Sequence, residues 1–377
     1  MRRSRGYAPR GVFLPAAQPS VLALGAELKS AVCLTQDDRA FLSQHIGDLK
    51  NMEVYRSLTE TVAHLQEILA LQPQVVAHDL HPDYLSTRYA EEQTGTPRVA
   101  IQHHHAHLAS CLAENGVDEE AIGIIFDGIG YGADGRIWGG EFLVGGFGGY
   151  RRAGHFAYIP MPGGDAATRE PYRMALSYLR HAYGAQFPDL PAVAAIGEGE
   201  RRLLLQMMEK GINSPLTSSC GRLFDAVAAL VGLRERVSYE GQAALELEMA
   251  ICAAPENEVY PFALQEGGDE IIFEPSPLIR AIVEDVQRGI SAGTVSARFH
   301  NTLGAMVRQV CEHLRQTTGL QAVALSGGVF QNHYLTERCV GLLETGGFRV
   351  YRHSLVPPND GGLALGQAVI AGRQVAG

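Results

Sequence analysis

The chain has 377 residues, 46% hydrophobic and 19% charged, enough to bury a large core in one compact body of roughly two or three lobes. A formal net charge of -10 and a pI near 5.8 argue against a protein that grips a nucleic-acid backbone over a broad surface, which needs clustered Lys and Arg. The six cysteines stand far apart without a CxxC pair, so neither a zinc ribbon nor a dense disulfide framework is indicated and a reducing cytoplasm fits best.

Residues 1–18 open on the basic stretch Met1 to Arg10, with no apolar core of signal-peptide length behind it, and no later run approaches a membrane span. They read as a linker-like segment, and the chain is expected to be a piece of a longer polypeptide. A first lobe over 19–118 then begins with two short buried strands, Val21 to Gly25 and Ala31 to Leu34, joined by a tight polar turn with Lys29 at its tip. Val54, Leu58, Val62, Leu65 and Leu69 recur at helical spacing from Glu53 to Leu71, and Pro73 stops that helix. Strand Val75 to Ala77, a polar segment Tyr84 to Gln93, strand Val99 to Ile101 and a helix opening at the cluster Gln102-His103-His104-His105-Ala106-His107 complete the lobe.

A second lobe over 119–377 repeats the order around a mostly helical insertion at about 155–295. Strand Ile122 to Phe126 runs into a Gly-rich turn from Asp127, and Ile137 to Val144 returns as its hairpin partner. Phe299, Leu303, Met306, Val310 and Leu314 mark a long amphipathic helix. Strand Val323 to Leu325, helix Tyr334 to Leu343, strand Phe348 to Tyr351 and a helix from Leu363 follow. Strands alternating with helices imply a largely parallel sheet in each lobe. The duplication rests on element order alone. If the halves are related by a pseudo-twofold axis, their last strand-to-helix junctions face each other across a cleft, which sets Asp360 opposite the histidines.

Two imidazoles at i and i+4 on one helix face have the spacing a single metal ion requires, and His103 and His107 with carboxylates suit zinc or iron(II). Asp127 and Asp360 are the carboxylates at the cleft; the alternative is a histidine-rich helix start that binds nothing. Three Gly-rich turns, Gly25 to Ser30, Asp127 to Gly135 (with Gly128) and Ser326 to Asn332 (with Gly327 and Gly328), offer backbone N–H groups to phosphates, although no Walker A or Rossmann fingerprint is present. Ser219, Gly221, Arg222 and Asp225 gather at the start of an apolar helix, either as a nucleotide contact or as a simple N-cap with a solvated charge. Gly241 opens the next helix and leaves room for an adenine or ribose. Cys111, among apolar neighbours, reads as a core thiol.

His103-xxx-His107, Asp127 to Gly135 with Trp138-Gly-Gly-Glu141, Ser219-Cys-Gly-Arg-Leu-Phe-Asp225, Ser326-Gly-Gly-Val-Phe-Gln-Asn332 and Asn359-Asp-Gly-Gly362 together resemble the HypF hydrogenase-maturation carbamoyltransferases. Arg2 to Tyr7, Ser43 to Asp48 and Asp79-Leu-His-Pro82 extend the resemblance over essentially the whole chain, but only to the carboxyl-terminal part of that family's architecture. The resemblance implies an α/β fold of the two-lobed actin, sugar-kinase and Hsp70 type (ASKHA), with a duplicated βββαβαβα core, like the tRNA threonylcarbamoyltransferases. It implies carbamoyl-adenylate, made from carbamoyl phosphate and ATP by an activating domain normally on the same polypeptide, as the donor. The carboxyl-terminal cysteine of the partner HypE is the implied acceptor, on the way to the cyanide ligands of [NiFe] hydrogenases. Carried over by position, His103, His107, Asp127 and Asp360 match one divalent metal site. Gly221, Asp225, Gly241, Gly327, Gly328 and Asn332 match the nucleotide site, to which Gly128, Ser219 and Arg222 are added. Lys29 is expected to supply positive charge at the reacting centre and His45 to take the thiol proton. Rival expectations are O-carbamoylation of a small molecule, threonylcarbamoylation of tRNA, or a nucleotide-binding assembly module without transfer activity.

Overall fold

The computed structural model describes residues 10–188, 190–194, 196–252 and 258–376. The first lobe comprises β1 (Gly11–Gln18), β2 (Val21–Ala23), β3 (Cys33–Leu42), α1 (Met52–Leu69), β4 (Val75–Asp79), α2 (Leu85–Glu92), β5 (Arg98–Ile101) and α3 (His103–Glu114). The second opens with β6 (Ala121–Tyr131), β7 (Ile137–Gly146) and β8 (Gly149–Phe156), and closes with α11 (Ala292–Thr318), β13 (Ala322–Ser326), α12 (His333–Thr345), β14 (Arg349–Arg352) and α13 (Leu363–Ala376). Between them lie β9 (Ile159–Pro160), α4 (Ala166–Arg169), α5 (Pro171–Tyr183), α6 (Pro191–Ala194), α7 (Glu198–Lys210), β10 (Leu216–Thr217), α8 (Cys220–Leu230), α9 (Gln242–Met249), β11 (Ala263–Gly267), β12 (Glu270–Glu274) and α10 (Ser276–Gln287).

Each lobe therefore carries the order βββαβαβα, the duplicated two-lobed ASKHA architecture. The first sheet runs β1-β3-β2-β4-β5 and the second β11-β12-β8-β7-β6-β13-β14. In both, an antiparallel hairpin leads into parallel neighbours: β2 pairs β4 and β4 pairs β5, as β6 pairs β13 and β13 pairs β14. The place beside the hairpin is filled from upstream by β1 in one lobe and from downstream by β8 in the other.

Three local expectations change. Gly11–Gln18 is a strand paired to β3 rather than linker; Val12 and Leu14 face the core, and an edge position tolerates Pro15 where a central strand does not. Residues 1–9 lie outside the described residues. The polar segment after Tyr84 is helix α2, whose buried side is made of small polar groups such as Thr87, its hydroxyl bonded to the Asp79 and His81 carbonyls. The insertion is mostly helical, as expected, and also adds strands: β12 joins the second sheet in parallel with β8 and carries β11 with it. Finally, α1 stops at Leu69, before Pro73, because Ala70 takes the left-handed conformation at φ 51.

The last helix of each lobe crosses over. Helix α3 packs on β6, β7 and β13 of the second sheet, while α13 packs on β2, β3 and β4 of the first. They meet at Gly366, where a Cβ would stand 1.8 Å from the Ala106 carbonyl oxygen, so only glycine allows this approach. The apolar cluster around them, including Leu108, Leu112, Leu365 and Ile370, joins the lobes. Among the described residues no helix is long and apolar enough to cross a membrane.

Candidate metal centre and nucleotide cleft

Strand β5 ends at Ile101, and the Gln102 side chain then caps α3 by accepting the His105 N–H at 2.9 Å. That cap places His103 on the first turn and His107 one turn on, with ring centroids 5.0 Å apart. Both side chains are buried, at 0% and 1% exposure. The His103 Nδ1 meets Asp79 Oδ2 at 2.8 Å, which leaves its Nε2 directed into the cleft.

The carboxylates come from the other lobe. Asp127 does not end its strand, because β6 continues to Tyr131; it sits instead at a bulge, where the register against β7 shifts between Phe126 and Gly130. Bulges of this kind re-aim a side chain, and here Asp127 Oδ1 accepts the Gly328 N–H at 2.8 Å while Oδ2 faces the histidines. Asp360 stands in the short turn before α13, held by Asn359, whose side chain accepts the Gly361 N–H.

The four groups converge. His103 Nε2 lies 3.4 Å from Asp127 Oδ2 and 3.6 Å from Asp360 Oδ1; His107 Nε2 lies 3.7 Å and 3.6 Å from the same atoms. All four ligand atoms fall within 4.8 Å of one another. Bonds of about 2.1 Å to a tetrahedral ion require ligand separations of about 3.4 Å. Both Nε2 atoms are buried without a hydrogen-bond partner, and two imidazoles with two carboxylates form a donor set that suits zinc or iron(II).

The electrostatics point the same way. Burial opposes charge on His103 and His107, yet Asp79, Asp127 and Asp360 hold the first well above the usual imidazole range, and Asp127 and Asp360 raise the second. Burial likewise opposes ionisation of the acids, but the two imidazoles hold Asp127 well below the usual carboxylate range and Asp360 down to about 2. Left to themselves these side chains form two ion pairs; a divalent cation supplies the same positive charge. His104 and His105 stand outside the set. His105 Nε2 donates to the Gly146 carbonyl at 2.7 Å, and burial drives His104 well below the imidazole range.

The glycines around the β6 bulge permit close approach. A Cβ on Gly221 would meet Gly128 Cα at 2.9 Å, one on Gly328 would meet Asp127 Oδ1 at 2.8 Å, and Gly327, at φ 101, lies against Phe126. Gly241, at φ 76, opens α9 with nothing within 4 Å of its Cβ position, so a ligand has room there. Arg222 is buried beside Gly128, 3.1 Å from Asp225 through one terminal nitrogen, and its Nε and other terminal nitrogen make no hydrogen bond. Burial, against the pull of Arg222, raises Asp225 to about 6.

Two of the expected nucleotide residues have side chains committed elsewhere. The Ser219 hydroxyl caps α8 through the Arg222 N–H and bonds the Gly128 carbonyl at 2.6 Å. Asn332 caps α12 by accepting the Leu335 N–H and gives its amide to His300 at 2.8 Å. Lys29, at φ 49, reaches across the cleft to Glu240 at 2.6 Å; burial opposes its charge, but Glu240, Asp360 and Asp127 raise its pKa. His45 is exposed, in a loop tied to Ser30 by the Ile46 N–H. Cys111 is a core thiol, its pKa raised well above normal by burial.

Asp79 and Glu141 were not singled out among the site residues. Asp79 stands at the carboxyl end of a parallel strand, the edge where such sheets bind ligands, and that position was its signal. Glu141 had only its place in the Trp138-Gly-Gly-Glu141 motif: fully buried, it accepts the Ser218 hydroxyl and the Gly139 N–H and pairs with Arg152 at 2.7 Å, bracing β7 against the start of α8.

Comparison with known proteins agrees over the full length. Residues 16–114 match the HypF Kae1-like domain, and residues 123–367 match the second subdomain of the carbamoyltransferase Kae1-like domain. The chain is 42% identical to carbamoyltransferase HypF2 of Cupriavidus necator over 98% of its own length and 49% of that protein's. It is 37% identical to a HypF homologue from the same organism over 94% of this chain and 92% of the relative. A full-length HypF crystallised in a phosphate- and nucleotide-bound form superposes with a TM-score of 0.95 at 41% identity, covering 100% of this chain and 59% of that one. Thus the chain spans about half the length of several relatives that it matches, with 49% of HypF2 and 50% of the Synechocystis HypF covered. On both sequence and fold, the chain belongs to the HypF carbamoyltransferase family.

Proposed function

We propose that this chain carries the transfer step of a HypF-type carbamoyltransferase: it receives carbamoyl-adenylate and passes the carbamoyl group to the carboxyl-terminal cysteine of HypE in the cytoplasm. The donor would be made from carbamoyl phosphate and ATP by an activating domain normally on the same polypeptide. The observation that carries this reading is the meeting of His103, His107, Asp127 and Asp360 beside the glycine-lined approach at Gly128, Gly221, Gly327 and Gly328.

The chemistry asks for positioning. The cysteine thiolate attacks the carbamoyl carbon, the bond from that carbon to the phosphate oxygen breaks, and AMP departs, so alignment and charge stabilisation dominate. His103, His107, Asp127 and Asp360 would hold one zinc or iron(II) ion, which when bound supplies a Lewis acid toward a phosphate or carbamoyl oxygen. Gly241 admits the nucleoside, while Arg222, with two unpartnered nitrogens, and the Gly327 and Gly328 turn face its phosphate side. Lys29 exchanges Glu240 for the developing negative charge, and His45 takes the thiol proton.

Incubating the full chain, loaded with zinc or iron(II), with carbamoyl-adenylate and a peptide ending in the HypE cysteine tests this by intact mass. The expected result is one carbamoyl group on the cysteine with release of AMP, lost in His107→Ala. Nucleotide binding without peptide modification would overturn it in favour of an assembly module. Carbamoylation of a small hydroxyl compound, or threonylcarbamoylation of tRNA, would redirect it to another acceptor.

A further inference from the structure

The two histidines facing the cleft are supported differently from behind. His103 donates directly to Asp79. Behind His107 stands a longer path: its Nδ1 lies 3.4 Å from Ser326 Oγ, Ser326 Oγ lies 2.8 Å from His353 Nε2, and His353 Nδ1 lies 3.1 Å from Glu114 Oε1. Every member is buried, with side-chain exposures of 1% for His107, 2% for His353 and 0% for Glu114, and Ser326 at 0%.

The polarity of this path follows from its far end. Glu114 accepts the backbone N–H groups of Ser354, Leu355 and Val356, each at 2.8 Å, so its carboxylate is an acceptor fixed in place. His353 Nδ1 makes no hydrogen bond across that 3.1 Å, but a fixed carboxylate so near favours the ring proton on Nδ1, which leaves the bare Nε2 to Ser326. The Ser326 hydroxyl donates to that nitrogen, which leaves its oxygen lone pairs to accept from His107 Nδ1–H. When the His107 ring is neutral, as metal binding requires, its one proton is thereby kept on Nδ1 and the lone pair on Nε2, the atom that faces Asp127 and Asp360. Metal-bound histidines ordinarily donate their second N–H to such a partner, which fixes the ring and raises its basicity.

We infer that Ser326, His353 and Glu114 form a positioning relay that holds His107 in its metal-binding tautomer, doing through three residues what Asp79 does directly for His103. This rests on the reading that the four-residue cluster holds a metal. The relay also spans the lobes. His107 and Glu114 lie two turns apart on α3, whereas Ser326 and His353 belong to β13 and the chain just past β14 of the second sheet. The tautomer of one lobe's ligand is thus set by the other lobe's strands.

Zinc affinity of the full chain, measured by chelator competition, and the visible spectrum of its cobalt(II) form test the relay in Ser326→Ala, His353→Phe, the double variant and Ser326→Thr. Metal-free thermal unfolding reports separately on the fold. Each single variant is expected to weaken zinc binding about 10–100-fold and shift the cobalt spectrum. The double variant should lose no more than the weaker-binding single variant, because both break one path, and Ser326→Thr should keep the affinity. Unchanged affinity and spectrum in Ser326→Ala, or additive losses in the double variant, would overturn the relay. Should His353→Phe fail to fold, Ser326→Ala and Ser326→Thr decide alone. His107→Ala separates the two levels: if it too leaves zinc affinity unchanged, the metal reading fails, and if it alone weakens binding, only the relay does.

Discussion

The two lobes use the same order of elements yet bring different material to the cleft. The first supplies both imidazoles from one helix, one turn apart, so their relative geometry is a property of the α3 backbone. The second supplies its carboxylates from a strand bulge and from the turn before α13, positions related only through the packing of a sheet. The nitrogen half of the site is local and the oxygen half is tertiary. The complete site then depends on α3 and α13 staying packed at Gly366, where the lobes exchange helices.

The most severe way to break the comparison is to remove one donor from each half. His107→Ala and Asp127→Ala should each reduce zinc affinity by more than the roughly 10–100-fold that an outer partner carries, read by chelator competition. A large loss for His107→Ala with none for Asp127→Ala would mean that the tertiary half does not contribute. Next comes the contact that joins the halves. Gly366→Ala forces a methyl group against a backbone oxygen and should cost about 1–3 kcal/mol in urea unfolding while also lowering zinc affinity. Lost stability with unchanged affinity would show that the halves tolerate separation.

Where β6 of the second lobe meets the histidine helix of the first, Gly130→Ala places a Cβ 2.4 Å from His104 Cε1 and 2.7 Å from His103 Cδ2, so both rings must move. Zinc affinity should fall while stability changes by only about 1 kcal/mol, since the rings can give where the Gly366 contact cannot. In the second lobe, burial raises Asp225 from 3.8 to about 6. The native state then binds the proton more tightly than the unfolded chain, so this group's contribution to stability is fully present below about 4 and falls as pH rises toward 6. Asp225→Asn should flatten the unfolding curve in that window, by an amount on the order of 3 kcal/mol. Smallest is the bridge between the lobes at the cleft mouth: Glu240→Gln, which frees Lys29, should shift stability by less than about 1 kcal/mol because both partners remain partly exposed.

The parts that were legible were those written in short range. The β2–β3 hairpin, the buried stripe of Leu58, Val62 and Leu65, and the start of α3 follow from periodicity and capping. The i, i+4 spacing put His103 and His107 on one face, and the duplicated element order set Asp360 opposite them. The illegible parts have long-range causes. Gly11–Gln18 becomes a strand only because β3 extends to Leu42 and offers it an edge. Ser219 and Asn332 looked available for a ligand, yet tertiary neighbours claim their side chains: the Gly128 carbonyl and His300.

By itself the sequence determined which atoms the site could use: two imidazoles on one helix turn, two carboxylates, and glycines where backbones must touch. Only the tertiary structure decided how those atoms are aimed. The β6 bulge turns Asp127 into the cleft, the Gly366 crossing brings the two lobes close enough to share it, and Asp79 and Ser326 reach the outer nitrogens of His103 and His107. The physical reason is range. Helical spacing is fixed by bonds between near neighbours, whereas the direction of a buried polar side chain is fixed by hydrogen bonds to residues that only folding brings near.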